Sequence, residues 1–431
     1  MAMAHIIIKD VGPVNEVEFD LNKVNIIIGP QSSGKSTIDK IACYFFWVEK
    51  RVSQDQSFAF FQKDDNFIKE LVRFHKIEGY LKPSSYISYK SEVISVEYRH
   101  AQKLLSIEWV DQYKFQNSKI AYIPAERNIV AAIPNWFEVK LFDNNTLNYM
   151  KDWGESRQIH TKDVPFQIPG IKAAYYYEGG NDYVITDDNG ILLLTNTSSG
   201  YQSIIPLNVL LHYLTTWIYN NDAPTSIEKN DQINLMNSIL YEKTVWGRAN
   251  IDRSDKKKIQ DFLKEFNEAD TSSKWRDLHD TWKNTWEKFN KYGYSRLFIE
   301  EPEQNLFPST QMALIYHLFE SLNNTDKDHK LFITTHSQYV LYAINNCILG
   351  GLIHDNIPAD ILSDISFRNS FVNPKDVSVW EIKDGKFNTY EGCERIQDED
   401  GLIRRNYFDC IMNELMDDFN SLLNYYESDN E

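Results

Sequence analysis

The sequence predicts an α/β fold, and three observations carry that prediction. A β-branched run, Val24-Asn25-Ile26-Ile27-Ile28, opens directly into a glycine-bounded loop. Two further apolar runs, Leu297-Phe298-Ile299 and Leu331-Phe332-Ile333, also end in polar residues. Apolar residues make up 42% and aromatic residues 14% of the 431-residue chain, enough to fill a large core. Global disorder and fibrous repeats are thereby excluded. The length favours two or three domains.

The charge balance is acidic, with 45 Lys and Arg against 62 Asp and Glu, a formal charge of −17. That argues against a chain coating nucleic acid or anionic membrane nonspecifically, though a local basic groove is compatible with it. No apolar run is long enough for a transmembrane helix. The N-terminus has neither the basic start nor the apolar stretch of a signal peptide. Cys43, Cys347, Cys393 and Cys410 show no CxxC spacing, so the expectation is free thiols in a reducing cytoplasm.

In chain order, the first chemical motif is Gly29-Pro30-Gln31-Ser32-Ser33-Gly34-Lys35-Ser36-Thr37. It has the spacing G-x-x-x-x-G-K-[ST] of a phosphate-binding loop. The glycines permit a tight turn that aims consecutive N–H groups into one hollow. Lys35 adds positive charge for the β- and γ-phosphates, and the Ser36 hydroxyl is placed to ligate Mg²⁺. Ile38, Ile41, Ala42 and Phe45 mark the following helix, whose N-terminus faces the anion.

The next segment reads mainly as β. Tyr86 to Tyr98 alternates apolar and polar residues. Ala173 to Tyr177 and Tyr183 to Ile185 flank the turn residues Glu178 to Asp182, and Ile191 to Leu194 follows Asp187-Asp188-Asn189-Gly190. Ser199-Gly200 then precede a helical stripe of Ile204, Leu207, Leu211, Leu214 and Ile218. A Ser-Gly pair there offers a hydroxyl and free N–H groups to an anion, or simply an N-cap.

Residues 225–292 read as a polar helical insertion. Ile259, Phe262, Leu263 and Phe266 mark one helix, and Trp275, Leu278, Trp282, Trp286 and Phe289 another. The Trp stripe reads as a packed helical core, with a partner surface as the sharper alternative. Arg253 with Lys256-Lys257-Lys258 reads as a solvated basic face.

Leu297-Phe298-Ile299-Glu300-Glu301-Pro302-Glu303 is an apolar strand ending in carboxylates. Phosphoryl transfer needs positioned charge and an oriented nucleophile. Glu300 is expected in the metal shell and Glu301 as the group that polarises water. Lys330 to Ser337 is a strand whose end places His336 where ligands bind in open α/β sheets. Val377 to Ile382 forms a last strand, Asp384-Gly385 a turn, and residues near Tyr407 to Tyr425 a helix.

Together these motifs resemble the ABC-type ATPases of the SMC/RecF/OLD branch, often described as AAA-family ATPases, and among them the ATPase subunits of bacterial anti-phage systems such as Septu and PARIS. Residues 6–14 look like that branch's opening hairpin, Val24–Thr37 its Walker A, and Phe298–Pro308 its Walker B and D-loop. Thr334–Ser337 looks like its switch histidine, Thr197–Ser203 its signature, and Ile120–Arg127 its Q-loop region. The resemblance implies an ABC-type head built from 1–224 and 293–431, interrupted by 225–292. It implies ATP and Mg²⁺ as ligands, with Lys35, Glu301 and His336 as catalytic residues and Glu300 and Ser36 at the metal. Such heads form homodimers around two ATPs, so Ser199 and Gly200 would meet nucleotide held by a second copy. Arg127 is the further expected nucleotide contact.

Three departures stand out. The first Walker B acid is Glu300 where Asp is usual, which points to slow hydrolysis. No Gln occupies the Q-loop position. About a hundred residues separate Gly200 from Glu301, and the insertion fills them. Asp398-Glu399-Asp400 has the letters of a Toprim nuclease motif but no buried strand before it, so a second catalytic domain is not expected. The resulting expectation is a cytoplasmic ATPase serving a separately encoded effector in anti-phage defence. A RecF- or SMC-like DNA-maintenance ATPase is the alternative, made less favourable by the charge. A transporter ATPase is disfavoured by the absent membrane-coupling context and the short opening hairpin.

Overall fold

The computed structural model describes residues 4–220, 245–246, 256–267, 275–388 and 396–426. Arg253, Cys393 and most of 225–255 lie outside the described residues.

The strands are β1 (His5–Val11), β2 (Val14–Asp20), β3 (Val24–Ile28), β4 (Leu81–Lys90), β5 (Ile94–Arg99), β6 (Leu104–Trp109), β7 (Ser118–Ile123), β8 (Phe166–Gln167), β9 (Ala173–Glu178), β10 (Asn181–Thr186), β11 (Ile191–Leu193), β12 (Tyr294–Glu300), β13 (Lys330–Thr335), β14 (Val377–Lys383) and β15 (Lys386–Phe387). The main helices are α1 (Lys35–Asp55), α2 (Asn66–His75), α3 (Asn145–Ser156), α4 (Ser199–His212), α5 (Lys256–Asn267), α6 (Arg276–Asn290), α7 (Pro308–Asn323), α8 (Gln338–Ile353) and α9 (Tyr407–Tyr426). Among the described residues, no helix is long and apolar enough to cross a membrane.

One 11-stranded sheet runs β6-β5-β4-β1-β2-β15-β14-β3-β13-β12-β7. The half from β6 to β2 is antiparallel. The half from β14 to β7 is wholly parallel. The β14–β15 hairpin joins the two, turning at Asp384-Gly385 where both residues have positive φ. The fold is therefore the expected α/β class with an N-terminal antiparallel β portion. A separate four-stranded sheet, β11-β10-β9-β8, holds the short strands read between 173 and 194.

The apolar strands are buried on both faces, as parallel strands covered by helices must be. In β3, Val24, Ile26 and Ile28 enter one core while Ile27 enters the other. In β12 and β13, Leu297, Ile299, Leu331 and Ile333 join the first, and Phe298 and Phe332 the second. Phe298 and Phe332 stack at 4.3 Å, and Phe46 of α1 contacts both. This is why the three strands read as continuous apolar runs.

Two features differ from the sequence reading. Tyr86–Tyr98 is not one strand but the facing halves of β4 and β5, because Ser91 turns the chain, with its N–H on the Ile94 carbonyl. The nominally β segment also contains α2 and α3, whose aromatic-rich apolar faces pack under the sheets. In the inserted region, Phe262 and Phe266 of α5 form a small core against which Trp275, Leu278 and Trp282 pack. Lys256, Lys257 and Lys258 are exposed at the start of α5.

Candidate functional site

The site lies at the carboxyl edge of the parallel half-sheet, where β3, β13 and β12 end side by side. Their register places Ile28 opposite Thr335 and Thr334 opposite Glu300. Each of the three strands then releases a polar segment on the same edge.

After β3 the chain turns into the phosphate loop. Gly29 has φ +147°, and a Cβ there would lie 2.3 Å from the Ile382 carbonyl oxygen of β14. Gly34 has φ +110°, and a Cβ there would lie 2.7 Å from Val14 Cγ2. Only glycine fits either position. Ser32 also takes positive φ, which completes the curl of the loop. Gln31 and Ser32 are exposed, while Thr37 is buried at the foot of α1. Lys35 folds its ammonium back across the loop, donating to the carbonyls of Gly29 at 2.9 Å and Pro30 at 2.8 Å. Burial lowers its pKa to about 8, against the opposing pull of Glu301 and Glu303.

The three expected catalytic side chains meet. Lys35 Nζ is 3.4 Å from His336 Nδ1, and His336 Nε2 is 3.3 Å from a Glu301 carboxylate oxygen. The hydrogen bond with His336 holds the Glu301 carboxyl below its usual range. Glu301 itself has φ +45°, a left-handed conformation costly for a side-chain-bearing residue, and its N–H is bonded to the Thr334 carbonyl.

Glu300 points the other way. It is buried; its Oε1 accepts from the Tyr122 hydroxyl at 2.6 Å and its Oε2 from the Ala125 N–H at 3.2 Å. Each carboxylate oxygen retains further lone-pair capacity. Ser36, at the first turn of α1, is half-buried.

Arg127 requires a correction. Expected among the nucleotide contacts, it is instead fully buried beneath the acidic turn. Nη1 donates to the Glu300 carbonyl at 2.9 Å, and Nη2 to those of Glu301 at 2.8 Å and Pro302 at 3.1 Å. The fork satisfies three carbonyls that a tight left-handed turn cannot place in a ladder, so its charge is spent on the turn rather than on a ligand.

Two residues that hold this arrangement together escaped the sequence reading. Glu303 Oε1 accepts the His336 N–H at 2.6 Å and so fixes the loop that carries the histidine; burial pushes its carboxyl up. Its third-carboxylate position in Glu-Glu-Pro-Glu was visible but had no assigned role. Tyr122 had no local signal, because its task depends on β7 lying beside β12.

Ser199 and Gly200 form the first turn of α4. Ser198 precedes them without any side-chain cap bond, so the simple N-capping alternative is not what the serine does. Gly200 packs against the turn after β12, with the Asn305 carbonyl oxygen 3.3 Å from where a Cβ would sit, and Asn305 donates to Ser203. Among the described residues no hydrogen bond links Ser199 or Gly200 to the phosphate loop of the same chain.

No family model and no curated protein matches the sequence. Solved structures with some likeness include the SMC head domain from Thermotoga maritima, at 11% identity and TM-score 0.34, covering 80% of this chain and 92% of that one. Another is the recombination mediator protein RecF, at 12% identity and TM-score 0.30, covering 90% and 98%. At these values the likeness adds nothing to the topology described above.

The remaining observation concerns buried atoms that lack partners. Ser33 Oγ, Thr334 Oγ1 and a Glu303 carboxylate oxygen are buried with no hydrogen bond, and all three sit on the segments that converge at this edge. Other buried polar atoms without a partner lie elsewhere among the described residues, so these three are compatible with a polar ligand at this edge without marking one. Among the described residues no cluster of three or more His, Cys, Asp or Glu is arranged to hold a metal ion. Mg²⁺ carried on a nucleotide takes one or two protein oxygen ligands and completes its shell with phosphates and water. Ser36 and Glu300 supply oxygen donors of the right kind.

Proposed function

We propose that this chain is an ABC-type ATPase head that binds ATP with Mg²⁺ and hydrolyses it between two copies. The observation that supports this most directly is the Lys35–His336–Glu301 row laid across the mouth of the phosphate loop. In this reading the nucleotide's phosphates lie in the hollow of Gly29–Thr37, and the Lys35 ammonium exchanges loop carbonyls for β- and γ-phosphate oxygens. The Glu301 carboxylate, kept ionised, accepts a proton from the attacking water while His336 holds its orientation. Mg²⁺, when bound through Ser36 and Glu300, neutralises charge on the phosphates. Ser199 and Gly200 of the second copy close over the γ-phosphate.

The division into a head of 1–224 and 293–431 with an inserted 225–292 is part of the same reading. In its wider form, the head controls a partner effector protein in bacterial anti-phage defence. The resemblance of the motif set supports this, together with an acidity suited to a basic partner surface. Pull-down of the effector encoded beside the gene tests that wider form, and neighbouring genes with no nuclease or toxin candidate would count against it. The ATPase reading is tested first by nucleotide binding. Lys35→Ala should lose ATP, and ATP bound with unchanged affinity by that variant would overturn the phosphate-loop assignment.

A further inference from the structure

The C-terminal helix α9 is joined to the body at its first turn. The Tyr407 N–H donates to Glu381, the Tyr342 hydroxyl of α8 donates to Asp409, and Phe408 packs on the core. From Met412 to Leu423 every residue is exposed, so over about 18 Å the helix stands away from the body. A helix surrounded by water has no reason to be apolar on one side. Yet Met412, Met416, Phe419 and Leu423 recur at alternating steps of four and three residues, and Leu415 and Leu422 widen the stripe. Leu415, Phe419 and Leu422 are 59%, 58% and 71% exposed. Leu349 and Ile353 of α8 are exposed as well.

The charges indicate what covers the stripe. Residues 407–426 contain no Lys or Arg, so the helix lacks the basic face of a membrane-surface helix. Of its carboxylates beyond the anchored turn, Glu414 and Asp417 lie opposite the stripe, and Asp418 lies outside the Leu415–Leu422 edge, away from the line of Met412, Met416, Phe419 and Leu423. The positions that border the stripe on its polar flank are Asn413 and Asn420, which are uncharged. A partner recruited by opposite charge would need the carboxylates beside the seam. Two copies of an acidic chain need them away from it, as found here.

We propose that α9 pairs through this stripe with α9 of a second copy, in a two-fold contact. An isologous contact of this kind requires only a self-complementary surface. It requires no nucleotide and uses none of the residues at the carboxyl edge of the sheet, so it stands independently of the ATPase reading.

Sedimentation of the full chain without nucleotide, over a micromolar concentration series, tests it. The wild type should be dimeric, and so should Lys35→Ala. Phe419→Glu with Leu423→Glu should weaken the dimer by at least about 100-fold, because two apolar side chains per copy lose their burial. Leu415→Glu with Leu422→Glu should do the same. Both variants alter exposed positions only, and an unchanged circular dichroism spectrum confirms their folding. Added salt should tighten the wild-type dimer by screening its acidic bodies. A wild type that stays monomeric, a dimer indifferent to both double substitutions, or a dimer that salt dissociates would each overturn the proposal.

Discussion

Lys35 has two partners in its own loop and a third in His336, so its ammonium is fixed before any ligand arrives. Its place in the loop was legible because the motif spacing alone dictates it. His75 shows the opposite case. Nothing around it in the sequence marks it, yet it is buried among Tyr44, Phe74 and Tyr122 with Nδ1 unpartnered. Burial lowers its pKa from 6.5 to about 3. A folded pKa below the unfolded one means that the unfolded chain binds the proton first. The stability contribution is therefore intact above pH 6.5 and is lost as pH falls toward 3, by about 1.4 kcal/mol per pH unit. Denaturant titrations at pH 6.5 and 4.5 should show that extra acid sensitivity in wild type and not in His75→Phe. Tyr122→Phe leaves the buried Glu300 carboxylate with only the Ala125 N–H. It should cost about 1–3 kcal/mol in denaturant melts and slow hydrolysis with little change in ATP affinity.

At the scale of elements, the turn after β12 is the informative piece. Its apolar strand and paired acids were readable, since a strand buried on both faces must be apolar throughout and its polar exit marks a sheet edge. The left-handed Glu301 and the Arg127 fork beneath it were not readable. They depend on the tight turn Ala125–Asn128 after β7 reaching a strand some 170 residues later, a contact that spacing cannot encode. The charged residue was noticed and given the wrong partner. Arg127→Met should strip three buried carbonyls of their donor and cost about 3 kcal/mol or more. It should also lower the turnover rate by displacing Glu301, while ATP affinity stays near wild type. Equilibrium ATP binding and single-turnover rates on the variant check this; loss of ATP affinity with unchanged stability would restore the nucleotide-contact role. Helices α2 and α3 were hidden for a different reason. Both lie in a segment whose aromatic and β-branched content favours strand, and packing under the sheets decides otherwise.

For the molecule as a whole, the −17 charge acquires a location. Three carboxylates of the acidic turn have partners: Glu301 with His336, Glu300 with Tyr122, and one oxygen of Glu303 with the His336 N–H. Attraction for a polyanion is left to Lys35 and to the curled backbone of the loop, which is the arrangement phosphate binding needs in an acidic protein. The excess acidity lies elsewhere, on surfaces such as the outer side of α9. Two copies must therefore overcome mutual repulsion to meet, and bound ATP provides the bridge in the proposed head pairing. Trapping that bridge is the most direct test of the account. Glu301→Gln, purified with ATP and Mg²⁺ and carrying Phe419→Glu and Leu423→Glu to remove pairing through α9, should retain ATP, hydrolyse it at least about 100-fold more slowly than the same chain with Glu301 intact, and sediment as a dimer that dissociates when Lys35→Ala is added. Undiminished hydrolysis by the glutamine variant, or an ATP-bound species that remains monomeric, would contradict it.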